Sequence, residues 1–394
     1  MVKVSELTGR SASPHGDVRR PRLMLVHFWG NLHDLRGSVQ QIIDVQCRHL
    51  QEFDIAVAHV GAAQPEAEIA GIDYLNFSED RWRNRCFNKI LGLRVFTFSE
   101  LPRLIDAWRP DILHLHNRQE LLPAIQRRLT HRPLCVLHYH RHFRQPALPA
   151  ADLCLVPSQA SLQYFQDLGA TGDWRVLSNP IAATSFSLPE LTAPARDPVR
   201  LLFSGGGQPG KGLHLVRAAL NAEFEPACDW SLYVCGRELG ADVGNDRRWH
   251  LLPYLERAAY LRLLGESAIV LLPSLSESFG LAAMEAAATG RYLVLSDLPA
   301  FRELLPAEAA WFFTCGDAAD LRRALLAALQ ARQCGDLSRP RAARQAATGH
   351  NAEHFAQRLH GVYDELLRER RGSRDCDRLP WSDRALDQRA RSRS

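Results

Sequence analysis

Two glutamates, Glu277 and Glu285, are the residues of this sequence best placed to bind a charged ligand. They belong to residues 273–286 (PSLSESFGLAAMEA), which directly follow the apolar run of residues 269–272. An apolar run of this length predicts a buried strand. The segment behind it is expected to enter a helix near Gly280, whose free N–H groups and positive dipole end would favour an anion. The chemistry indicated is binding of a phosphate-containing ligand at the carboxyl end of a strand.

Spacing along this helix fits a nucleotide diphosphate. Gly280 lets the backbone come close to a ligand. Glu285 lies about 7.5 Å further along the axis, roughly a ribose away from a phosphate at the helix start. A carboxylate there could accept hydrogen bonds from both ribose hydroxyls, as acidic residues do in dinucleotide sites. Glu277 precedes the helix and is expected to point into a cleft, and the residues between the two acids would touch the same donor: Ser278, Phe279, Gly280 and Leu281.

A simpler interpretation exists for each acid alone. Glu277 would then be a capping acid at the helix start and Glu285 a surface residue of the helix. The pair, with Phe279 and Gly280 between the two acids and small residues around them, favours a ligand site instead.

A second Gly-rich turn, residues 203–212 (FSGGGQPGKG), carries Lys211. Gly205, Gly210 and Lys211 have the spacing of a P-loop, but Gly212 stands where a Ser or Thr would bind magnesium. An ATPase would also leave the two glutamates without a role. The turn therefore predicts a phosphate-binding loop of another kind, with a merely solvated Lys211 as the alternative.

These residues need a framework of strands and helices to position them. Short apolar runs alternate with helical patterns along most of the chain, and a proline-rich stretch at residues 182–198 separates two such sets. Among them, residues 121–129 predict a helix and residues 134–140 predict a strand. Repeated βα units predict parallel sheets with helices on both faces. We therefore predict an α/β protein of two Rossmann-like, doubly wound domains that face one another across a ligand-binding cleft.

The spacing of Glu277 and Glu285 resembles the E-x7-E signature of retaining glycosyltransferases with the GT-B fold, most closely those of the large family 4 (glycosyl transferases group 1). The similarity extends over about residues 22–368. It implies that Glu277 contacts the donor sugar, that Glu285 binds the ribose, and that Lys211 neutralises the departing diphosphate. Relatives often place an Arg where this chain has Gly206, so half of the usual cationic clamp is missing, and Arg237 is the candidate to compensate.

Residues 111–117 (DILHLHN) resemble the strand of that family that ends in a histidine. The resemblance implies that His116 reaches the cleft and hydrogen-bonds the donor sugar, with Asn117 and Arg118 at the same mouth. Strand alternation puts His114 on the same face, where it is expected to be a core residue. Gly37 and Ser38 begin the first helix of the chain, behind a loop that in the family approaches the donor phosphate. An ordinary helix start explains Gly37 equally well.

His138, His140 and His142 also alternate and raise the question of a metal. Neither an acidic ligand nor a DxD motif accompanies them, and relatives with the GT-B fold are metal-independent. We therefore expect neither metal nor cofactor, and place these residues at the end of a strand beside the acceptor, with His138 facing inward.

The resemblance implies a domain for each substrate. The prediction is a disordered leader (residues 1–21), an acceptor-side domain (22–182), a linker (183–198) and a nucleotide-sugar domain (199–350). A C-terminal helix (351–371) is expected to pack back on the first domain, followed by a disordered tail (372–394).

The predicted activity is transfer of a sugar, with retention, from a nucleotide-sugar donor to the hydroxyl of a glycan or lipid-linked acceptor. Its expected catalytic residues are His116, Lys211 and Glu277, and its expected setting is synthesis of bacterial surface polysaccharide or lipopolysaccharide. Two alternatives remain. One is a nucleotide-sugar epimerase of the same fold. The other is a degenerate nucleotide-sugar-binding protein, suggested by Gly206.

Composition indicates which binding partners and which cellular compartment to expect for this protein. A net charge of +4 over 394 residues is not that of a dedicated nucleic-acid binder. Nine scattered cysteines without a C-x-x-C pair favour a reducing compartment, and no apolar run is long enough to span a membrane. The expectation is a cytoplasmic protein. Residues 81–95 interleave basic and apolar residues, which suits peripheral contact with the inner face of the cytoplasmic membrane or an ordinary surface helix.

Overall fold

The computed structural model describes residues 19–28, 38–60, 69–78, 98–143, 151–182, 185, 187, 198–221, 224, 226–237 and 246–372. Gly37 and residues 81–95, for which a phosphate contact and a membrane contact were predicted, lie outside these ranges.

The first half of the chain forms a seven-stranded parallel sheet. Its order is β3-β2-β1-β4-β5-β6-β7. The strands are β1 (Arg22–His27), β2 (Asp54–Val60), β3 (Asp73–Phe77), β4 (Ile112–His116), β5 (Leu134–His138), β6 (Leu153–Val156) and β7 (Trp174–Val176). Strand order reverses between β1 and β4, and parallel sheets commonly bind ligands at such a position.

The second half forms a six-stranded parallel sheet of order β10-β9-β8-β11-β12-β13. Its strands are β8 (Val199–Ser204), β9 (Trp230–Cys235), β10 (Trp249–Leu252), β11 (Ile269–Leu272), β12 (Tyr292–Ser296) and β13 (Trp311–Phe313). Here the order reverses between β8 and β11, the strands that lead into the two predicted phosphate-binding segments. Two parallel α/β domains were predicted, and this architecture confirms them.

Helices cover both faces of each sheet, because the strands are apolar on both sides. They are α1 (Ser38–His49), α2 (Glu100–Trp108), α3 (Leu122–Gln126), α4 (Gln159–Asp167), α5 (Leu213–Ala219), α6 (Arg257–Glu266), α7 (Leu281–Ala288), α8 (Pro299–Leu304), α9 (Ala318–Gln333), α10 (Ser338–Ala347) and α11 (Ala352–Gly372). Among the described helices, none combines the length and apolar character needed to cross a membrane.

Helix α11 follows the second domain but packs on the first. Phe355, Leu359 and Tyr363 are buried in one cluster with Leu23 and Leu25 of β1. Helix α1 contacts α11 over the same face of the sheet. Helix α11 therefore closes one of the two cores of the N-terminal domain and ties the two domains together.

Several local predictions were wrong. The helix expected over residues 121–129 is a 3-10 turn at residues 119–121 followed by the short α3. The strand expected over 134–140 ends at His138, because the N–H of His140 donates to the side chain of Asn117 instead of to a strand. Strands β3 and β13, one at an edge of each sheet, were not predicted; they are short, with five and three residues.

Candidate active site

The segment after β11 forms one wall of a cleft between the domains. Gly280 has φ +92°, and a Cβ there would lie 2.3 Å from Cε1 of Phe301. The backbone can therefore make this turn only with glycine, and α7 starts at the next residue, Leu281. Sequence spacing placed the helix start within one residue of this position.

A cavity of about 580 Å³ lies at this helix start. That size is typical of sites for small organic ligands. Both domains contribute to its walls. The first domain supplies Val39, Asn117, His140, Arg141, His142 and Asn179. The second supplies Ser204, Gln208, Lys211, Leu272, Ser276, Glu277, Ser278, Phe279, Gly280, Leu281, Ala282, Ala283 and Phe301.

Lys211 and Glu277 form an ion pair inside this cavity. The ammonium Nζ lies 2.7 Å from Oε1 of Glu277, and the Ser274 hydroxyl donates to the same oxygen at 2.8 Å. Lys211 closes the 3-10 turn of residues 209–211, and that turn is attached to the motif because the Leu275 N–H donates to the Gly210 carbonyl. The two predicted phosphate-binding segments thus form one unit, with a cation beside the start of α7.

Glu285 lies behind the cavity wall and not in its lining. Its Oε1 is 2.6 Å from Nη1 of Arg257 on α6, and only 4% of its side chain is exposed. Burial raises the pKa of the Glu285 carboxyl, while the Arg257 charge opposes this shift. The carboxylate therefore has a protein partner already, and its contact with a ribose stays a prediction.

The glycine loop after β8 is held against the end of β9. The N–H groups of Gly205 and Gly206 both donate to the Cys235 carbonyl. Gly206 has φ +65°, and a Cβ there would lie 2.2 Å from the backbone oxygen of Arg237. A side chain is therefore excluded where relatives often carry an Arg. The Arg237 guanidinium lies over the Tyr254 ring, 4.7 Å from its centroid. Gly205, Gly206 and Arg237 are not among the residues that line the cavity.

His116 does not reach the cavity, contrary to the prediction. Its side chain is buried, with Nε2 3.1 Å from Oε1 of Gln46 and Nδ1 2.9 Å from Nε2 of His140. Burial lowers the pKa of His116 well below its usual value. Strand β4 ends at His116, and His140 of the loop after β5 lies against its ring and lines the cavity in its place.

The three predicted acceptor-side residues have different surroundings. Asn117 lines the cavity from a left-handed backbone conformation of φ +57°. Arg118 turns away from the mouth: it is 6% exposed, and its Nε lies 2.5 Å from Oε1 of Glu120. His138 is fully buried, so it faces inward but has no access to an acceptor.

Hydrogen bonds across the cleft join the two domains beside the cavity. The hydroxyls of Ser158 and Ser161 donate to the Ser278 carbonyl at 2.6 and 2.8 Å. In the other direction, the Ser278 hydroxyl donates to the His140 carbonyl at 2.7 Å. His142 spans the same gap, within 3.1 Å of Ser161 and 3.4 Å of Ser276.

Sequence reasoning missed several cavity residues. Asn179, Arg141, Ser276 and Gln208 line the cavity, although none of them was predicted to contact a ligand. Their position in the sequence could have indicated a role for two of them. Ser276 directly precedes Glu277, and Gln208 directly precedes the turn that carries Lys211. His140 and His142 were expected at the acceptor cleft from their alternation, and both line the cavity.

The two parallel-sheet α/β domains that line one cavity have the architecture of the GT-B fold. The fold is similar to those of sucrose-phosphate synthase from Thermosynechococcus elongatus (TM-score 0.67, 15% identity, covering 89% of this chain and 100% of the other) and a glycosyltransferase from Rickettsia africae (0.69, 13%, 89% and 99%). The Anabaena protein HepE in complex with UDP and glucose is similar too (0.66, 17%, 87% and 99%).

Within this class, two family models match the chain and together span more than two thirds of it. "Glycosyltransferase Family 4" matches residues 39–184, and "Glycosyl transferases group 1" matches residues 198–331. A GDP-mannose:cellobiosyl-diphosphopolyprenol alpha-mannosyltransferase from Xanthomonas oryzae pv. oryzae (strain PXO99A) is 22% identical over 320 residues, covering 72% of this chain and 80% of the relative. The chain is a glycosyltransferase of the group 1, family 4 type, as its E-x7-E segment predicted.

Proposed function

We propose that this protein transfers a sugar from a nucleotide-sugar donor to an acceptor hydroxyl with retention of anomeric configuration. The observation that carries the proposal is the Lys211–Glu277 pair, 2.7 Å apart inside a cavity at the start of α7. A diphosphate bound there would take the ammonium from the carboxylate and would free Glu277 for the hydroxyls of the donor sugar.

Leaving-group stabilisation is the main contribution of this site. The bond between the anomeric carbon and the diphosphate oxygen breaks, and the electron pair leaves with the nucleoside diphosphate. Lys211 and the free N–H groups at the start of α7 face the charge that develops on that oxygen. Preorganised charge of this kind costs no reorganisation during the reaction.

Retention rests on the resemblance to family 4. The acceptor oxygen attacks from the side that the diphosphate leaves, and its proton passes to a diphosphate oxygen. Neither a metal nor a cofactor takes part in this proposed step. The first-domain wall, formed in part by Asn117 and His140, would hold the donor sugar and the acceptor in position.

Glu285 is proposed to bind the ribose after giving up part of its contact with Arg257. Its position on the second turn of α7 places it next to the helix start, and Arg257 would keep the carboxylate oriented. Arg237 is proposed to contact the donor only after leaving Tyr254, and therefore to contribute less than Lys211.

The acceptor is proposed to be a glycan or a lipid-linked glycan of the bacterial cell surface. The support is the name of the Xanthomonas relative, which specifies a diphosphopolyprenol-linked acceptor. We place the protein in the cytoplasm, with peripheral contact to the inner face of the membrane through the basic and apolar residues 81–95.

A transfer assay tests the proposal. Purified full chain is given GDP-mannose, UDP-glucose and other nucleotide sugars, each with and without a polyprenyl-diphosphate oligosaccharide, and products are identified by mass spectrometry. We expect glycosylated acceptor from one donor class and, by NMR, an anomeric configuration equal to that of the donor.

Other outcomes would replace this proposal. An epimerised donor formed without any acceptor would identify an epimerase. Donor binding in calorimetry without product for every acceptor class would favour the degenerate binding protein that the lost Arg at position 206 suggested. An inverted product would leave the transferase activity but overturn retention.

A further inference from the structure

A layer of buried histidines lies beneath the cavity, on the face of the N-terminal sheet that α1 and α11 cover. These histidines belong to four neighbouring strands and to the loop after β5. They are His27, His59, His114, His116, His138 and His140, of which His140 lines the cavity. The rings of His114, His116 and His138 are in mutual contact, with centroids 4.6 to 5.5 Å apart. Neighbouring parallel strands bring them together, because His116 pairs with His138 in register.

Several nitrogens of these rings have no hydrogen-bond partner. Within the described part of the chain, Nε2 of His114 and both ring nitrogens of His138 are buried without one. A buried polar group in that state has lost its hydrogen bonds to water, and packing among imidazoles does not replace them. Lone pairs that converge in a dry interior are instead what a transition-metal ion requires.

We propose that His114, His116 and His138 bind one Zn²⁺ ion. One nitrogen from each ring can be chosen so that all three lie within 4.8 Å of one another. Zinc–imidazole bonds of about 2.0–2.1 Å place tetrahedral ligand nitrogens roughly 3.3–3.4 Å apart. The rings must therefore tilt and draw together by about an ångström, which side-chain rotation can supply.

Outer partners would select the ligand nitrogen of two of the rings. The Tyr363 hydroxyl lies 2.5 Å from Nδ1 of His114, so His114 would donate its Nδ1–H there and offer Nε2 to the ion. The Gln46 side-chain oxygen lies 3.1 Å from Nε2 of His116 and can only accept. With the Gln46 amide in this orientation, His116 would carry its proton on Nε2 and would offer Nδ1 to the ion.

His140 connects this group to the cleft. Its Nε2 lies 2.9 Å from Nδ1 of His116, and the residue also lines the donor cavity. The ion would take the place of the His140 proton at that nitrogen, and a water or His140 itself would complete the four ligands. An all-imidazole set favours zinc over magnesium or calcium, which prefer oxygen.

The three rings lie between the sheet and the helices that cover it, since His114 contacts Tyr363 of α11 and His116 contacts Gln46 of α1. A bound ion would brace β4 and β5 against α1 and α11, behind the wall that His140 presents to the donor.

This trio differs from the one that alternation along the sequence suggested. His142 lies at the cleft beside Ser161 and Ser276, away from the buried group, whereas His114 of the neighbouring strand takes its place. The proposed ion departs from the expectation, drawn from the sequence, that this chain holds no metal.

Metal content and cobalt spectroscopy test the site independently of activity. The full chain, prepared without a histidine tag, is stripped with a chelator, incubated with Zn²⁺, desalted and analysed for bound metal. We expect one equivalent of zinc, a higher Tm with zinc than after chelation, and visible absorption typical of four-coordinate Co²⁺ when cobalt is used.

Two substitutions test the proposed ligands, and a third substitution serves as the control. His114→Asn and His138→Asn should each abolish the stoichiometric equivalent and the cobalt absorption. His250→Gln, on the exposed strand β10 of the other domain, should retain both. Less than a tenth of an equivalent in the wild-type chain, or cobalt absorption that persists in both ligand variants, would overturn the proposal. The wild-type measurement decides even where a variant fails to fold.

Discussion

At the residue scale, each glutamate of the E-x7-E segment is paired with a basic side chain of the protein. Lys211 is 2.7 Å from Glu277, and Glu285 is 2.6 Å from Arg257. The first pair lines the cavity, whereas the second is buried behind it. Their environments predict different consequences of substitution.

Lys211 should act on the leaving group. Lys211→Gln is expected to lower kcat by about 10²- to 10³-fold, the usual loss when one donor to a developing charge is removed. Arg200→Gln is the control, because Arg200 forms an exposed ion pair with Glu266 on the same domain. Steady-state transfer kinetics check this, with circular dichroism to verify folding. A change below about threefold would exclude Lys211 from leaving-group stabilisation.

Glu285 should make donor binding sensitive to acid. Burial raises the pKa of this carboxyl above its ordinary value of 4.5, so protonation begins at a higher pH than for an exposed glutamate. Because only the carboxylate accepts from two ribose hydroxyls, donor affinity should fall as the pH drops toward that raised pKa.

Calorimetric titration of the donor between pH 8 and 5 measures this effect. The wild-type Kd should increase toward the acid end, whereas Glu285→Gln should bind more weakly throughout and show a flatter profile. Glu308→Gln, an exposed residue of the same domain, should follow the wild type. Identical profiles for wild type and Glu285→Gln would remove Glu285 from the ribose site.

At the element scale, glycines let the strand-end turns of the second domain pack directly on backbone. A Cβ at Gly212 would lie 1.9 Å from the Pro273 carbonyl oxygen, and one at Gly206 would lie 2.2 Å from the Arg237 oxygen. Both residues have positive φ. Close approach of two turns, rather than flexibility, therefore explains why glycine occupies these positions.

Substitution of these glycines should destabilise the C-terminal domain. Gly206→Ala and Gly212→Ala are each expected to lower the free energy of unfolding by about 1–3 kcal/mol, through overpacking and a left-handed backbone. Gly210→Ala is a matched control in the same loop, because its Cβ would meet nothing within 4 Å. Denaturant unfolding compares the three.

An arginine at position 206 tests whether the contact between Gly206 and the Arg237 backbone also limits activity. Gly206→Arg restores the residue that relatives often carry, yet the Arg237 backbone leaves no room for it. We expect lower stability and no gain in kcat. A stable variant with higher activity would show that the loop adopts another conformation.

At the scale of the whole molecule, the two domains are joined by hydrogen bonds beside the cavity and by helix α11. Glu303 of α8 accepts from the N–H groups of Gln159 and Ala160 at the start of α4, at 2.8 and 3.0 Å. This carboxylate caps a helix of the opposite domain. The contact favours the arrangement in which both domains line one cavity.

Removal of this cap should weaken domain closure without unfolding either domain. Glu303→Ala is expected to lower kcat/KM by roughly 2- to 30-fold, the equivalent of about 0.5–2 kcal/mol for a helix cap. Small-angle X-ray scattering should show a larger mean radius of gyration, with Tm little changed. Glu308→Ala is the control, and equal kinetics and scattering for the two variants would contradict a role in closure.

Local features of the sequence predicted the parts of this protein that depend on local physics. The apolar strands, the turn at Gly280 and the start of α7 followed from neighbouring residues, and with the E-x7-E spacing they indicated the glycosyltransferase class that the family models confirm. Element ends were less predictable where a distant group takes the hydrogen bond, as Asn117 does at the end of β5.

Tertiary structure alone decided which side chains face the cleft. His116 is buried because His140 lies in front of it, and Glu285 is buried because Arg257 approaches from α6. The contact of Gly206 with Arg237 and the grouping of three histidines likewise join residues that are far apart in the chain. Spacing along a strand or helix determines which residues share a face. The packing of other elements against that face determines which of them meet the ligand.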